Sequence, residues 1–447
     1  SMKQILILGA GRSAQTLIKY LLEQGRTYNW QVVIADRDYA LAKEAIGNAE
    51  IARAEELHIE DENKRGKLIA AADVVASLLP AFLHITVARD CLKYKKHFIT
   101  ASYNSPELKA MDESIREAGL VFMGEMGLDP GIDHMSAMRV IDDIRSKGGE
   151  INAFHSYAGG LVAPESDNNP WHYKFTWNPR NVVLAGRGTA QYINSGRLKY
   201  LPYHRLFESY EEVEVQGFGP YEMYPNRDSL LYRKLYDLEN IPSLLRGTLR
   251  HRGYCDAWNI FVQLGLTDDS FPVIHSDRIS YRQFITAFVD GAVEENVEQR
   301  LCDLFDISAS SEIMNKIKWT GIFEKKKINL DMATPAQILE QLLLDKWVMQ
   351  PNDRDMILMQ HEFTYESNGD VKKRISTMEA KGDNAQQTAM SRLVGLPVGI
   401  YIKLLLTGKV ELKGVHIPVM PSIYRPVLDE LEQMNVIFKE KEVILDS

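Results

Sequence analysis

Residues 3–8 form a short, β-branched apolar run, and Gly9-Ala10-Gly11-Arg12-Ser13-Ala14 follows it without a break. Ala14, Leu17, Ile18, Leu21 and Leu22 then recur at helical spacing until Gly25. No other feature limits the fold as strongly. A buried strand that becomes a helix across two glycines makes a tight turn and leaves the helix-start N–H groups facing outward. The pattern then repeats. Residues 31–35 are an apolar run closed by Asp36, residues 73–79 one ended by Pro80, and 97–101 and 120–124 two more. Helical stretches are expected at 83–94 and 106–118. Apolar strands alternating with helices predict a parallel sheet covered on both faces.

In that setting the hexapeptide reads as the G-x-G-x-x-A fingerprint of a dinucleotide-binding, Rossmann-type domain. Gly9 permits the turn, Gly11 lets backbone approach a pyrophosphate, and the small Ala14 allows close helix–strand packing. The expected cofactor contacts are Gly9, Gly11, Arg12, Ser13, Ala14, Asp36, Arg37, Leu79 and Pro80. The last two lie at a C-terminal strand end, where ligands of such sheets bind. Asp36 ends the second strand, where a carboxylate accepts hydrogen bonds from the adenosine ribose hydroxyls and repels a 2′-phosphate; Arg37 beside it does the opposite. The expectation is NAD, with NADP as the alternative.

A chain of 447 residues has room for two or three domains. Its formal net charge of −9 argues against nucleic acid or anionic membrane as a general partner. The three cysteines, Cys91, Cys255 and Cys302, form neither a zinc spacing nor a disulfide framework. They fit a reducing, cytoplasmic setting. Neither a membrane span nor a signal peptide is expected.

From about residue 150 the pattern changes. Residues 151–157, 212–215 and 356–365 read as strands of a mixed or antiparallel sheet, set among Gly-, Pro-, Tyr- and Trp-rich loops. Residues 270–346 return to helical periodicity. Residues 385–406 read as a helical region broken at Gly395-Leu396-Pro397, and 436–445 as β-rich. The expected division is 1–127 plus 382–447 for the nucleotide domain and 128–268 plus 347–381 for an α+β substrate domain. A small helical domain takes 269–346.

Residues 127–134, Gly-Leu-Asp-Pro-Gly-Ile-Asp-His, fall where the first domain ends. This rigid turn is where a substrate is expected to meet the nicotinamide. Asp129 is read as an active-site carboxylate or as a helix cap, Asp133 as an N-cap, and His134 as a hydrogen-bonded structural residue. No third ligand is spaced to join Asp133 and His134, so no metal is expected.

This turn is followed in order by Ser156-Tyr157-Ala158-Gly159-Gly160-Leu161, Ala163-Pro164-Glu165, Tyr173-Lys174-Phe175-Thr176-Trp177, Pro225-Asn226-Arg227-Asp228-Ser229 and Arg246-Gly247-Thr248-Leu249-Arg250. Arg354-Asp355-Met356 and Val394-Gly395-Leu396-Pro397 extend the series. Together they resemble the glutamate-forming saccharopine dehydrogenases, also called saccharopine reductases, over nearly the whole chain. The resemblance implies a nucleotide domain built from both chain ends, a substrate domain, a small helical domain, and a homodimer. It implies reversible conversion of saccharopine, NAD(P)⁺ and water to glutamate, 2-aminoadipate 6-semialdehyde and NAD(P)H.

The residues suit a substrate with several carboxylates. Arg227, Arg246 and Arg250 stand in Gly/Pro/Ser-rich contexts, and guanidinium forks bind carboxylates bidentately. Ser102 and Tyr103, at a strand end, are candidates to bind a carboxylate or to donate a proton. Lys174, in an aromatic stretch where burial lowers an amine pKa, is a catalytic candidate that could supply that proton in place of Tyr103; a lysine snorkelling out of that stretch is the alternative. The resemblance places an Asp, a Tyr and a Cys near the reacting centre. Asp129 and Tyr103 match the first two, while Ala158 stands where the Cys is expected. Two rival readings follow: a carboxynorspermidine-type secondary-amine dehydrogenase, which the three arginines disfavour, and a catalytically silent NAD(P)-binding sensor, which Ala158 favours.

Overall fold

The computed structural model describes residues 2–445; Ser1, Asp446 and Ser447, the outer ends of the expected nucleotide domain, lie outside the described residues. The chain divides into two compact units, Ser1–Gly148 with Gln386–Phe438, and Gly149–Ala385 with Lys439–Ser447.

In the first unit the five apolar runs pair with two further strands, which sequence reading missed, as a seven-stranded parallel sheet. Its order is Gly414–His416, Val121–Met123, His97–Thr100, Val74–Ser77, Gln4–Leu8, Gln31–Asp36 and Ala52–Glu56. Ile5, Leu6, Ile7 and Leu8 are wholly buried, as expected of a strand covered on both faces. The chain runs outward from Gln4–Leu8 in one direction and then returns to build the other half. The order therefore reverses between Gln4–Leu8 and Val74–Ser77, and such a switch point is where a doubly wound sheet holds its ligand. The strand Gly414–His416, from the far end of the chain, completes the edge beside Val121–Met123.

One expectation needs correction here. The region expected to break at Gly395-Leu396-Pro397 is one continuous helix, Ala389–Leu406, with Pro397 inside it. It is also long and apolar enough to cross a membrane by length and composition. Here its apolar faces pack into the first unit. Gly395 abuts the Ser13 carbonyl and Gly399 abuts the Tyr20 ring, so a β-carbon at either glycine would stand 2.8 or 2.6 Å from those atoms. The helix Arg12–Tyr28 thereby gains a close partner from the other end of the chain.

The second unit is built on a nine-stranded mixed sheet. At its centre Glu150–Val162 runs parallel to Ser243–Arg250 and antiparallel to Asp355–Ser367. The helices of the 270–346 stretch pack on the core formed by Trp171, Tyr173, Phe175 and Trp258. They therefore belong to the second unit. The last strand, Phe438–Leu445, joins the sheet edge at Asp370–Lys381 and does not return to the nucleotide sheet. The helix Ile132–Ser146 falls in the first unit.

Candidate active site

The glycine turn has the form its sequence implies. Gly9 sits at φ +103°, and a β-carbon there would meet the Leu78 carbonyl at 3.1 Å. Gly11 is the N-cap of the 17-residue helix Arg12–Tyr28, with no side chain capping the first turn. Nothing lies within 4 Å of where its β-carbon would be. Open space in front of uncapped helix N–H groups fits the pyrophosphate of a dinucleotide. Ala14 is buried against the sheet, and Leu79 and Pro80 follow the strand Val74–Ser77 across the switch point.

Asp36 does something its position in the sequence did not show. Its Oδ2 accepts a hydrogen bond from the Ala10 N–H and its Oδ1 from the Asp38 N–H, both at 2.8 Å. The carboxylate thus holds the glycine turn against the second strand. Arg12 and Arg37 are exposed, and neither forms an ion pair among the described residues.

At the ends of the next two strands lies a hydrogen-bonded group that sequence reading missed. His84 Nδ1 is 2.8 Å from Ser77 Oγ, and its Nε2 is 3.0 Å from Ser102 Oγ and 3.2 Å from Thr100 Oγ1. Burial pushes this imidazole down to about 4. His84 is therefore neutral near pH 7 and fixes the Ser102 hydroxyl. A serine at one strand end with a histidine opening the next helix was its only signal. Tyr103, next along the chain, is exposed.

The Gly127–Gly131 turn is tied to the same strand end. Glu125 N–H donates to the Ser102 carbonyl at 2.8 Å, and Met126 N–H to that of Thr100 at 3.1 Å. Inside the turn, Gly127 N–H donates to the Pro130 carbonyl at 3.0 Å, and the Asp129–Pro130 peptide is cis. Gly131 lies at φ +147°, where a β-carbon would stand 2.0 Å from the Gly127 carbonyl oxygen, so no other residue fits.

The two aspartates of the turn separate clearly. Asp133 is buried, and its Oδ1 accepts from the Gly131 and His134 N–H groups at 2.7 and 2.8 Å. It braces the turn from within; the helix N-cap is Gly131. Asp129 is exposed at the tip. His134 is fully buried and pairs through Nε2 with Glu125 Oε1 at 2.9 Å, and Glu125 Oε2 accepts from the Asn104 N–H. Ser102, Tyr103 and Asp129 thus belong to one hydrogen-bonded edge of the first unit.

The second unit carries the cationic candidates, in three different environments. Lys174 is buried, and its Nζ lies 2.6 Å from Asp353 Oδ2, a partner 179 residues away that sequence reading did not name. Arg246 is buried with its guanidinium 3.9 Å from the Tyr232 ring centroid. Arg250, four residues on and so on the same face of the strand, is caged by Tyr173, Tyr224 and Tyr254. Their ring centroids lie 5.2, 5.8 and 5.2 Å away, and its Nε has no hydrogen-bond partner among the described residues. Arg227 is exposed, with its Nε beside Gly188, and forms no ion pair among the described residues. Ala158 is half-buried in the central strand between Thr248 and Met359.

Comparison with known proteins agrees with this geometry. Residues 5–123 match the model of the saccharopine dehydrogenase NADP binding domain, and residues 127–437 that of the saccharopine dehydrogenase C-terminal domain. Saccharopine dehydrogenase [NADP(+), L-glutamate-forming] of Saccharomyces cerevisiae is 32% identical over 99% of each chain. The mitochondrial alpha-aminoadipic semialdehyde synthase of Bos taurus is 31% identical over 99% of this chain and 48% of its own. A solved structure of apo histidine-tagged saccharopine dehydrogenase (L-Glu forming) from Saccharomyces cerevisiae superposes with a TM-score of 0.90 at 31% identity, covering 99% of this chain and 100% of that one. The chain is an NAD(P)-dependent oxidoreductase whose cofactor is a nicotinamide dinucleotide. With both halves matched to family models and its full length to curated relatives, this chain belongs to the saccharopine dehydrogenase family.

Proposed function

We propose that this chain oxidises saccharopine at the carbon that becomes the semialdehyde, with NADP⁺ as acceptor, and releases glutamate. The observation that carries this reading is likeness across 99% of both chains to a relative named for that reaction. Saccharopine, NADP⁺ and water give glutamate, 2-aminoadipate 6-semialdehyde, NADPH and a proton.

The bound nicotinamide supplies the hydride acceptor. The protein's own residues do the rest. Arg227 and Arg246 bind substrate carboxylates through paired N–H donors. Arg250, caged by tyrosines, holds charge and shape in the strand beside them. After oxidation leaves an imine, Asp129 accepts a proton from the attacking water, and Tyr103 returns one to the departing amine. Lys174, ion-paired to Asp353, keeps a fixed positive charge in the second unit. His84 orients Ser102 as a neutral hydrogen-bonding hub.

The cofactor preference is revised from NAD to NADP. The relatives' names support it. So does the engagement of both Asp36 oxygens by backbone N–H groups, which leaves the exposed Arg37 as the cation available to a 2′-phosphate.

Identifying the amino acid released tests the reading. Glutamate with the semialdehyde is expected. Lysine with 2-oxoglutarate would mean that the other C–N bond is cleaved. The silent-sensor reading, which rests on Ala158, predicts cofactor binding with neither product.

A further inference from the structure

One set of side chains in the second unit has metal-ligand chemistry that the proposed reaction does not use. Asp167, His172 and His251 each offer one ligand atom, and these three atoms lie within 4.8 Å of one another. All three residues are half-buried. Asp167 and His172 come from one loop, and His251 follows the strand Ser243–Arg250, so the chain approaches from two sides.

The details point to a ligand. Asp167 Oδ2 is 2.7 Å from His172 Nδ1, but Asp167 Oδ1 is buried without a hydrogen-bond partner among the described residues. A buried carboxylate oxygen left unpaired is costly, and a bound cation would satisfy it. His251 Nδ1 lies 3.3 Å from the Arg252 carbonyl oxygen. That bond places the proton on Nδ1, where it donates, and leaves the Nε2 lone pair open. Metal-binding imidazoles are held in the same manner. The two imidazole centroids are 4.2 Å apart with planes 34° from parallel. Two imidazoles sharing one tetrahedral Zn²⁺ at Zn–N distances of about 2.0–2.1 Å set their centroids roughly 5 Å apart, so the two rings part by about 1 Å to take the metal.

We propose that Asp167, His172 and His251 form a binding site for a divalent metal of the zinc class, with a fourth position open to water or an anionic ligand. Two neutral imidazoles and one carboxylate suit Zn²⁺ better than Mg²⁺ or Ca²⁺, which prefer all-oxygen shells. Lys316 is near enough to act on His251 electrostatically, and its ammonium opposes the bound dication and limits the affinity.

Co²⁺ is the probe, titrated into chelator-stripped full-length protein while visible absorption is followed, with Zn²⁺ then added as competitor. The expected result is one Co²⁺ per chain, displaced by Zn²⁺. Asp167→Asn and His251→Gln should each weaken binding by more than about tenfold, while His275→Gln, at an exposed histidine elsewhere, leaves it unchanged. The two ligand variants alter different elements, so if one fails to fold the other remains decisive. Absence of stoichiometric Co²⁺ absorption, or equal binding in the folded ligand variants and the parent, would overturn the proposal.

Discussion

His84 shows how one buried side chain couples a strand end to stability. Its imidazole is neutral because burial pushes it down to about 4, whereas an unfolded chain protonates it near 6.5. Between those values the unfolded state binds the extra proton, so stability rises with pH and falls as pH drops from about 6.5 towards 4. The full loss is at most about 3 kcal/mol. Unfolding titrations of the parent and of His84→Asn across this range should differ in slope, with the variant flatter. Asp129 and Asp133 separate catalysis from folding at the next turn. Asp129→Asn should cost about 10²–10⁴ in kcat with little change in melting temperature, since Asp129 is exposed. Asp133→Asn should lower the melting temperature, because the charge accepting two backbone N–H groups is gone. Arg227→Gln should raise KM for saccharopine by more than about tenfold with NADP⁺ affinity unchanged, as steady-state and binding measurements can separate. The Gly127–Gly131 turn was legible because Gly and Pro announce it locally; that Asp133 braces the turn from within instead of capping the helix was not. The partners of Lys174 and Arg250 were not, because Asp353 and the tyrosine cage come from distant parts of the chain.

Among the elements, the pairing of the helices Arg12–Tyr28 and Ala389–Leu406 carries the most consequence. Apolar composition alone does not distinguish a buried core helix from a membrane span; in this structure most of the helix is buried within the first unit, and Gly395 and Gly399 admit the helix Arg12–Tyr28. Gly395→Ala puts a β-carbon 2.8 Å from the Ser13 carbonyl, in the first turn of the cofactor helix. The expected effect is a loss of about 1–3 kcal/mol and weaker NADP⁺ binding, read by thermal unfolding and fluorescence titration. Normal stability with normal affinity would show that the packing relaxes freely. Other elements were open to reading. Asn368-Gly369, both at positive φ, turns the hairpin that pairs Asp355–Ser367 with Asp370–Lys381, and Asn-Gly between alternating residues is a strong hairpin signal. Ser195-Gly196 does the same for Ala190–Asn194 and Arg197–Leu201, but a loop rich in polar residues hid its short strands.

The whole molecule is organised by a chain that leaves its first sheet, builds a second unit, and returns. Alternation of apolar strands and helices made five strands of the first sheet readable, since their burial is written in their own residues; Ala52–Glu56, polar and only partly buried, and the three-residue Gly414–His416 carry no such signal. The reach of the second core was not readable in that way. Phe284, Leu301, Ile317 and Leu339 look like the core of a separate helical body when taken in sequence. In space they share one cluster with Trp171 and Trp258. Whether they face their own kind or the sheet's aromatics depends on packing, not on periodicity. The last strand could not be assigned from its sequence either, because a β-rich run does not state which sheet edge it joins. All of this serves one proposed reaction, so the most direct measurement is absorbance of the reduced nicotinamide when purified protein meets saccharopine with NADP⁺, and separately with NAD⁺. Reduction with NADP⁺, faster than with NAD⁺, is the expected result; no reduction with either, in protein shown to bind the cofactor, would contradict the assignment of this chain as a saccharopine-oxidising enzyme.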